Sequence, residues 1–369
     1  MNVWVLTNEF EPNIIGGLGI VATRLSRTLA EDGVDVTVLC KHFGATVHDE
    51  REQDVRVIRF PRKSRFHSVE RQEFDAERVL SWLEQTGVAK PDVLQIHSLQ
   101  FTEFAIFLQN KWRVPVVYTC HSLVALEKKS KYRAQMANRQ ERLLRQANHI
   151  VVPSAWQNRQ LVEIYPSCSG RVRTIENGVD VKQAGSDVSP KRLLYVGRLT
   201  ALKGIEELLH AVAYLQRFEP DVTLDIVGTG PAAYTARLRS LQNRRQISDR
   251  VRWLGFQSWE SVQSLYGKYG AVIVPSRQES FGLVALEALA HGVPLVATQS
   301  GGLAEFVSPD VAFVIPKVTG KAIARTVYKM WRREARREQH VYKGLRLAKR
   351  FAWTEMSARY RELFASISS

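Results

Sequence analysis

Twelve short apolar runs, separated by amphipathic stretches, constrain this chain more than any other feature. Six come first: "VWVLT", "VDVTVLC", "VRVIRF", "DVLQIHS", "PVVYTCH" and "HIVVPS". Six more follow the midpoint: "RLLYVGRL", "VTLDIVG", "VRWLGF", "AVIVPS", "PLVATQS" and "VAFVIP". Each has the length of a buried strand. The stretches between them, such as Val21 to Glu31 and Phe74 to Gln85, carry helical periodicity. Strands alternating with helices form parallel sheets covered on both faces. Two such series predict an α/β protein of two doubly wound domains, and 369 residues are too many for one ordinary core. The polar stretch "VKQAGSDVSP", residues 181–190, is the expected join. The predicted division is 1–182, 190–350 and a last amphipathic helix within 351–369, with Met356, Tyr360, Leu363 and Phe364 on one side. Open parallel sheets bind ligands beyond the carboxyl ends of their strands, so the chemistry is expected in the loops there, in a cleft between the domains.

Composition narrows the class. Apolar content is 45% and charged content 24%, ordinary for a globular protein. There is no apolar run of about 18 residues, so no membrane span is expected. "MNVWVLTNEF" lacks a basic start and an apolar signal core, so secretion is not expected. Cys40, Cys120 and Cys168 form no CxxC pair, which argues against a disulfide framework or a zinc site and fits the cytoplasm. The net charge of +15 favours acidic partners: a nucleotide diphosphate, anionic lipid or nucleic acid.

Several loops carry the residues for such chemistry. In "NEFEPNIIGGLG", Gly16, Gly17 and Gly19 stand just before a helix, where free amides suit an anion, unless the stretch is only a turn. In "YVGRLTALKG", Arg198 and Lys203 follow a strand, and two cations there suit a diphosphate, although exposed cations are common. "DIVGTGPAA" places Gly228, Gly230 and Ala233 in a G-x-G-x-x-A pattern, but no clear ribose-binding acid marks the end of the next strand, so a dinucleotide site is not expected. In "SRQESFGLVALEALAHGVP", Gly282 to Ala290 reads as a helix apolar nearly all round, yet Glu287 sits within it and Glu279 stands just before it. Ser280 is the expected cap, aiming the amides of Phe281, Gly282 and Leu283 at an anion beside Glu279. A buried Glu287 needs donors: a ribose diol, a buried arginine, or solvent on a half-exposed helix. Gly301, Gly302 and Glu305 in "SGGLAEFV" form either a second approach to a ligand or a turn, and His121 ends the "VYTCH" strand.

Together these stretches resemble the retaining glycosyltransferases of family 4, with the GT-B fold. The resemblance rests on "GGLG", "TCHS", "ENGVD", "VGRLTALKG", "VGTGP", "PSRQESFGLVALEALAHGVP" and "SGGLAE" in this order, and on the Glu279–Glu287 pair eight residues apart. It implies two Rossmann-like domains facing a deep cleft, the first on the acceptor side and the second binding the nucleotide sugar, with the last helix crossing back to the first. It implies that Arg198 and Lys203 bind the donor diphosphate, that Gly16 and Gly17 approach phosphate or sugar, and that Glu287 holds the ribose. It implies that Glu279, with the amides of Phe281 and Gly282, holds the sugar and its phosphate, and that His121 contacts the sugar near the reacting carbon. Gly228, Ser280 and Leu283 complete the expected donor site.

The expected activity is transfer of a hexosyl unit, with retention, from a nucleotide-diphosphate sugar to a lipid-linked or soluble saccharide hydroxyl in envelope, polysaccharide or glycolipid synthesis. Uridine is the expected base by its frequency in the family, with guanosine and adenosine open. No DxD motif occurs, so neither cofactor nor essential metal is expected. Basic stretches at "EKKSKYRAQMANRQERLLR", "YKMWRREARREQHVYKGLRLAKR" and around Arg62, Lys63, Arg65 and Phe66 leave two readings: a solvated face, or attachment to the inner face of an anionic membrane. The rival functions are a GT-B-like nucleotide-sugar epimerase, a catalytically dead sugar-binding module and a nucleic-acid binder. The last lacks any recognition motif, so no nucleic-acid partner is expected.

Overall fold

The structure is a computed structural model that describes residues 1–61, 75–127, 131–182 and 189–367. The basic residues Arg62, Lys63, Arg65, Lys128 and Lys129, together with Phe66 and the middle of the expected join, lie outside the described residues. Contacts divide the chain into two units: Met1–Gly178 with Trp353–Ser369, and Val179–Ala352.

In the first unit the strands are β1 (Asn2–Leu6), β2 (Asp35–His42), β3 (His48–Glu52), β4 (Val55–Pro61), β5 (Val93–Ile96), β6 (Val116–Thr119), β7 (His149–Val152) and β8 (Val172–Thr174). Its helices are α1 (Gly17–Glu31), α2 (Ala76–Gln85), α3 (Thr102–Trp112), α4 (Lys131–Gln146) and α5 (Ala155–Ile164). The sheet order among the described residues is β3-β4-β2-β1-β5-β6-β7-β8, parallel except for the antiparallel β3–β4 pair. The inner strands are buried on both faces and are mostly apolar, whereas β3 and β8 at the two edges are not buried. Along β1, Val3 and Val5 enter one core layer, and Trp4 and Leu6 enter the other.

The second unit holds β9 (Ser189–Val196), β10 (Thr223–Val227), β11 (Val251–Gly255), β12 (Tyr269–Val274), β13 (Leu295–Ala297) and β14 (Phe313–Val314). Between and after them come α6 (Ile205–Leu215), α7 (Ala232–Arg244), α8 (Trp259–Tyr266), α9 (Leu283–Ala290), α10 (Gly320–Trp331) and α11 (Glu334–Ala348). The order β11-β10-β9-β12-β13-β14 is wholly parallel and reverses direction between β9 and β12, the doubly wound arrangement of nucleotide-binding sheets.

One buried acid ties this sheet together. The carboxylate of Asp225 on β10 accepts hydrogen bonds from Arg192 on β9 (2.7 Å), Arg252 on β11 (2.7 Å) and Tyr269 on β12 (2.5 Å). Burial alone would raise its pKa, but those donors more than offset this and hold it below the usual carboxylate value.

The last helix, α12 (Trp353–Ala365), belongs to the first unit. Its buried Met356, Tyr360, Leu363 and Phe364 join the core layer that holds Leu25 and Leu29 of α1. Ser357 Oγ donates to Asp32 at 2.8 Å. Gly178, in the "ENGVD" turn, has no room for a side chain, because a Cβ there would strike the Trp353 ring.

Candidate active site

The loops that follow β9 and β12 meet where the sheet order reverses. Gly204 turns the first of them with φ +67°, and a Cβ there would collide with the Pro275 carbonyl. The Arg277 amide donates to the Leu202 carbonyl at 2.7 Å, which ties the two loops together. This brings the Lys203 ammonium onto the Glu279 carboxylate as an ion pair, and Ser276 Oγ donates to the same carboxylate at 2.9 Å. Arg198 is exposed, and its guanidinium has no hydrogen bond or ion pair among the described residues. It belongs to the same electrostatic neighbourhood. Burial pushes the Tyr195 phenol upward, Glu279 adds to the push and Arg198 opposes it.

The glycine turn Gly301–Gly302 closes on this loop. The Gly302 amide donates to the Glu279 carbonyl at 2.9 Å, and Cβ atoms at Gly301 and Gly302 would strike the carbonyls of Glu279 and Ser280. That accounts for both glycines by backbone packing. The same holds for Gly228, whose φ is +128° and whose Cβ would collide with the Gly197 carbonyl, while its amide donates to Gly255 at 2.7 Å.

Ser280 does not cap α9. The cap position is Gly282 at φ +104°, without a side-chain capping bond, and its carbonyl accepts from Ala285 at 2.9 Å and Leu286 at 3.2 Å. The reason is steric: Gly282 packs against Leu303, where a Cβ would clash, and Phe281 is buried with its ring 5.4 Å from that of Phe306. The helix therefore starts at Leu283, one residue later than the apolar run suggests.

Glu287 is 5% exposed. Its donors all come from α8: Tyr266 Oη at 2.7 Å, Gln263 Nε2 at 3.0 Å and Trp259 Nε1 at 3.2 Å. No arginine pairs with it among the described residues. Burial raises its pKa to about 7, while the Tyr266, Trp259 and Gln263 hydrogen bonds pull the other way. The sequence reading missed these donors. Their spacing, 259, 263 and 266, marks one helix face and was the available signal.

In the first unit, α1 begins at Gly17, so Gly17 and Gly19 lie inside its first turn, with Gly16 at the cap position. Glu9, which sequence reasoning did not single out, accepts from the amides of Ile15 (2.9 Å) and Gly16 (3.0 Å), and its side chain fills the space beside Gly19. Gly19 is thus required by packing. Gly16 is not: its φ is −161°, and a Cβ there would meet nothing within 4 Å.

The two positions make a paired test. Gly16→Ala is expected to cost under ~1 kcal/mol of stability, whereas Gly228→Ala, strained and colliding, is expected to cost about 3 kcal/mol or more. Chemical denaturation of both variants checks this.

His121 follows β6 and is half-buried. Burial pushes its pKa down to about 4, so it is neutral at pH 7. Its Nε2 lies 2.9 Å from Nδ1 of the buried His97, a second histidine absent from the expected site.

The basic stretches are partly neutralised. Around α4, Arg133 pairs with Glu127 (2.6 Å), Arg142 with Glu103 (2.6 Å) and Arg145 with Glu141 (2.5 Å). On α11, Arg337 pairs with Glu334 at 2.9 Å and Lys343 with Asp310 at 2.8 Å. No helix among the described residues is long and apolar enough to cross a membrane.

Comparison with known proteins adds independent findings. A family model described as Glycosyltransferase Family 4 matches residues 15–183, and one described as Glycosyl transferases group 1 matches residues 178–346. The glycogen synthase of Mycobacterium tuberculosis is 30% identical over 343 residues, covering 83% of this chain and 80% of that protein. Among solved structures, sucrose-phosphate synthase from Thermosynechococcus elongatus superposes with a TM-score of 0.82 at 23% identity, covering 99% of this chain and 100% of that one. The Anabaena protein HepE in complex with UDP-glucose superposes with a TM-score of 0.79 at 20% identity, with 99% and 100% coverage.

Proposed function

The chain belongs to the family 4-type glycosyltransferases of GT-B fold, and from that premise we propose that it moves a hexosyl unit, with retention, from a nucleotide-diphosphate sugar to a hydroxyl acceptor. One observation carries the choice of donor. Arg198 and Lys203 after β9, and Glu279 after β12, gather where the strand order of the second unit reverses, the place at which such sheets take nucleotides. HepE, of like fold, is complexed with UDP-glucose, which makes a uridine donor the first to test.

In this reading Arg198 and Lys203 hold the diphosphate, with the amides around Phe281, Gly282 and Leu283 nearby. As the bond from the anomeric carbon to the phosphate oxygen breaks, positive charge grows on the sugar and negative charge on the diphosphate, where the two cations act. The acceptor oxygen bonds to the same face of the anomeric carbon, and its proton passes to the departing diphosphate oxygen. Glu279 orients the sugar hydroxyls rather than attacking carbon. Glu287 takes the ribose hydroxyls; the Trp259 N–H, the longest of its three contacts and the one from a half-buried side chain, is the one a ribose would displace. The cations supply the charge that a metal would otherwise supply, so activity in excess EDTA is expected to match that without it.

A panel of nucleotide sugars, read by thermal shift and then by transfer to saccharide and glycolipid acceptors, tests the reading. One donor at 100 times its Kd stabilises the protein by about 2.7 kcal/mol. If no nucleotide sugar shifts the Tm, the reading fails. If a nucleotide sugar is turned over equally with and without acceptor, epimerisation replaces transfer.

A further inference from the structure

We infer that His97 is a positioning residue: it ends a buried hydrogen-bond chain from the last helix through Tyr360, Thr119 and Gln95, and it fixes the ring and tautomer of His121. The inference rests on the reading that His121 touches substrate, and it adds residues which that reading does not use.

The links are continuous. Tyr360 Oη on α12 is 2.7 Å from Thr119 Oγ1 at the end of β6. Gln95 Nε2 on β5 donates to Thr119 Oγ1 at 2.5 Å and lies 3.5 Å from His97 Nε2. His97 Nδ1 is 2.9 Å from His121 Nε2, and the two rings stack with centroids 5.1 Å apart at 28°. The strand register explains the alignment. Because β5 and β6 are parallel with Gln95 opposite Val117, the pairs Gln95–His97 and Thr119–His121 follow each other with a period of two on neighbouring strands. Tyr360, Thr119, Gln95 and His97 are buried, and only His121 reaches partial exposure.

Packing alone does not account for this chain. A carboxamide and an imidazole in the interior cost free energy that apolar side chains would not. Moreover, Gln95 Oε1 is buried without a partner, so the network is not even fully satisfied.

The chain also dictates where protons sit. Burial keeps both imidazoles neutral, with the His121 charge further disfavouring a charge on His97, so each ring carries one hydrogen. The Gln95 amide nitrogen has two hydrogens, one for Thr119 and one for His97 Nε2. His97 then carries its proton on Nδ1 and donates it to His121 Nε2. The proton of His121 is left on Nδ1, the nitrogen turned away from His97 and offered to substrate as a donor.

The test uses full-length protein labelled with 15N-histidine, without ligand. Long-range imidazole spectra at pH 7 are expected to show His97 and His121 each as a single Nδ1–H tautomer. His97→Leu is expected to let His121 average between tautomers and to lower kcat by ~10²-fold, with KM for the donor within about threefold. His97→Asn, which restores a donor near the Nδ1 position, is expected to recover most of that loss. Tyr360→Phe, a milder change at the far end, is expected to perturb the same His121 signal, and it serves should the leucine variant not fold. A wild-type His121 that exchanges freely between tautomers or sits as Nε2–H overturns the inference, as does a folded His97→Leu with wild-type kcat. The spectra stand apart from the assay: if no nucleotide sugar is turned over, the proposed function fails while the tautomer result still decides the role of His97.

Discussion

Lys203→Met is expected to lower kcat of sugar transfer by on the order of 10²–10³-fold, the loss typical when one charge-stabilising group is removed from a site of developing negative charge. Stability should hardly change, for two reasons. The Lys203–Glu279 pair is partly exposed, with side chains 20% and 16% accessible, and such pairs are worth about 1 kcal/mol or less. Methionine also keeps the length of the stem. The partner gives a prediction of opposite sign. In the ligand-free protein Glu279 competes with a diphosphate for the Lys203 ammonium. Glu279→Gln retains an acceptor for Ser276 but releases that cation. Affinity for the free nucleoside diphosphate should therefore rise a few-fold while transfer falls, because the sugar loses its carboxylate. Calorimetry with the diphosphate and a transfer assay separate the two effects. A Lys203→Met enzyme of wild-type kcat, or a Glu279→Gln protein that binds the diphosphate less well, would remove the leaving-group role from this pair.

How far the sequence could be read depended on what each residue answers to. The twelve apolar runs all became strands, because a strand buried on both faces must be apolar throughout and the pattern records that directly. The strands that were missed, β3 and β8, carry no such record. "HDERE" is charged and pairs along one edge of the sheet, and "VRT" is only three residues long. Glycines were legible as places needing room but not as to what fills the room. Gly228, Gly301 and Gly302 look like ligand cradles in the sequence and turn out to accommodate carbonyls of neighbouring loops, while Gly16 has open space beside it. Contacts between distant positions left the weakest traces. The Lys203–Glu279 pair spans 76 residues, and the hydrogen bond between Thr119 and Tyr360 spans 241. Local patterning says nothing about either. Ser280 misled because a serine before an apolar run suits a cap, whereas packing of Phe281 and Gly282 against Phe306 and Leu303 moved the helix start past it.

Glu287→Gln is expected to produce two effects of opposite value: a more stable protein above pH 7 and a weaker grip on nucleotide. The folded-state pKa of Glu287 lies at about 7 against 4.5 for a free glutamate, a difference of about 3 kcal/mol. Between those two pH values the native chain holds a proton that the unfolded chain has released. Stability from this group is therefore fully present below pH 4.5, falls as pH rises towards 7, and is flat beyond. Glutamine cannot ionise and escapes that fall. It also fits the donors: its oxygen can accept from Trp259 and Gln263, and the Tyr266 hydroxyl can turn to accept from its nitrogen. Alanine is the poorer probe, because it would leave three donors without their acceptor at about 1–3 kcal/mol for each buried one, and lost binding could then reflect lost structure. Stability curves of wild type and Glu287→Gln should converge near pH 4.5 and separate by about 3 kcal/mol at pH 8. At pH 8 the same variant should bind the nucleoside diphosphate roughly tenfold or more weakly, since hydrogen bonds to a carboxylate are worth about 1.5–3 kcal/mol. Were the variant to gain stability and keep its nucleotide affinity, Glu287 would be an acceptor for α8 alone, and the ribose would have to be held elsewhere in the second unit.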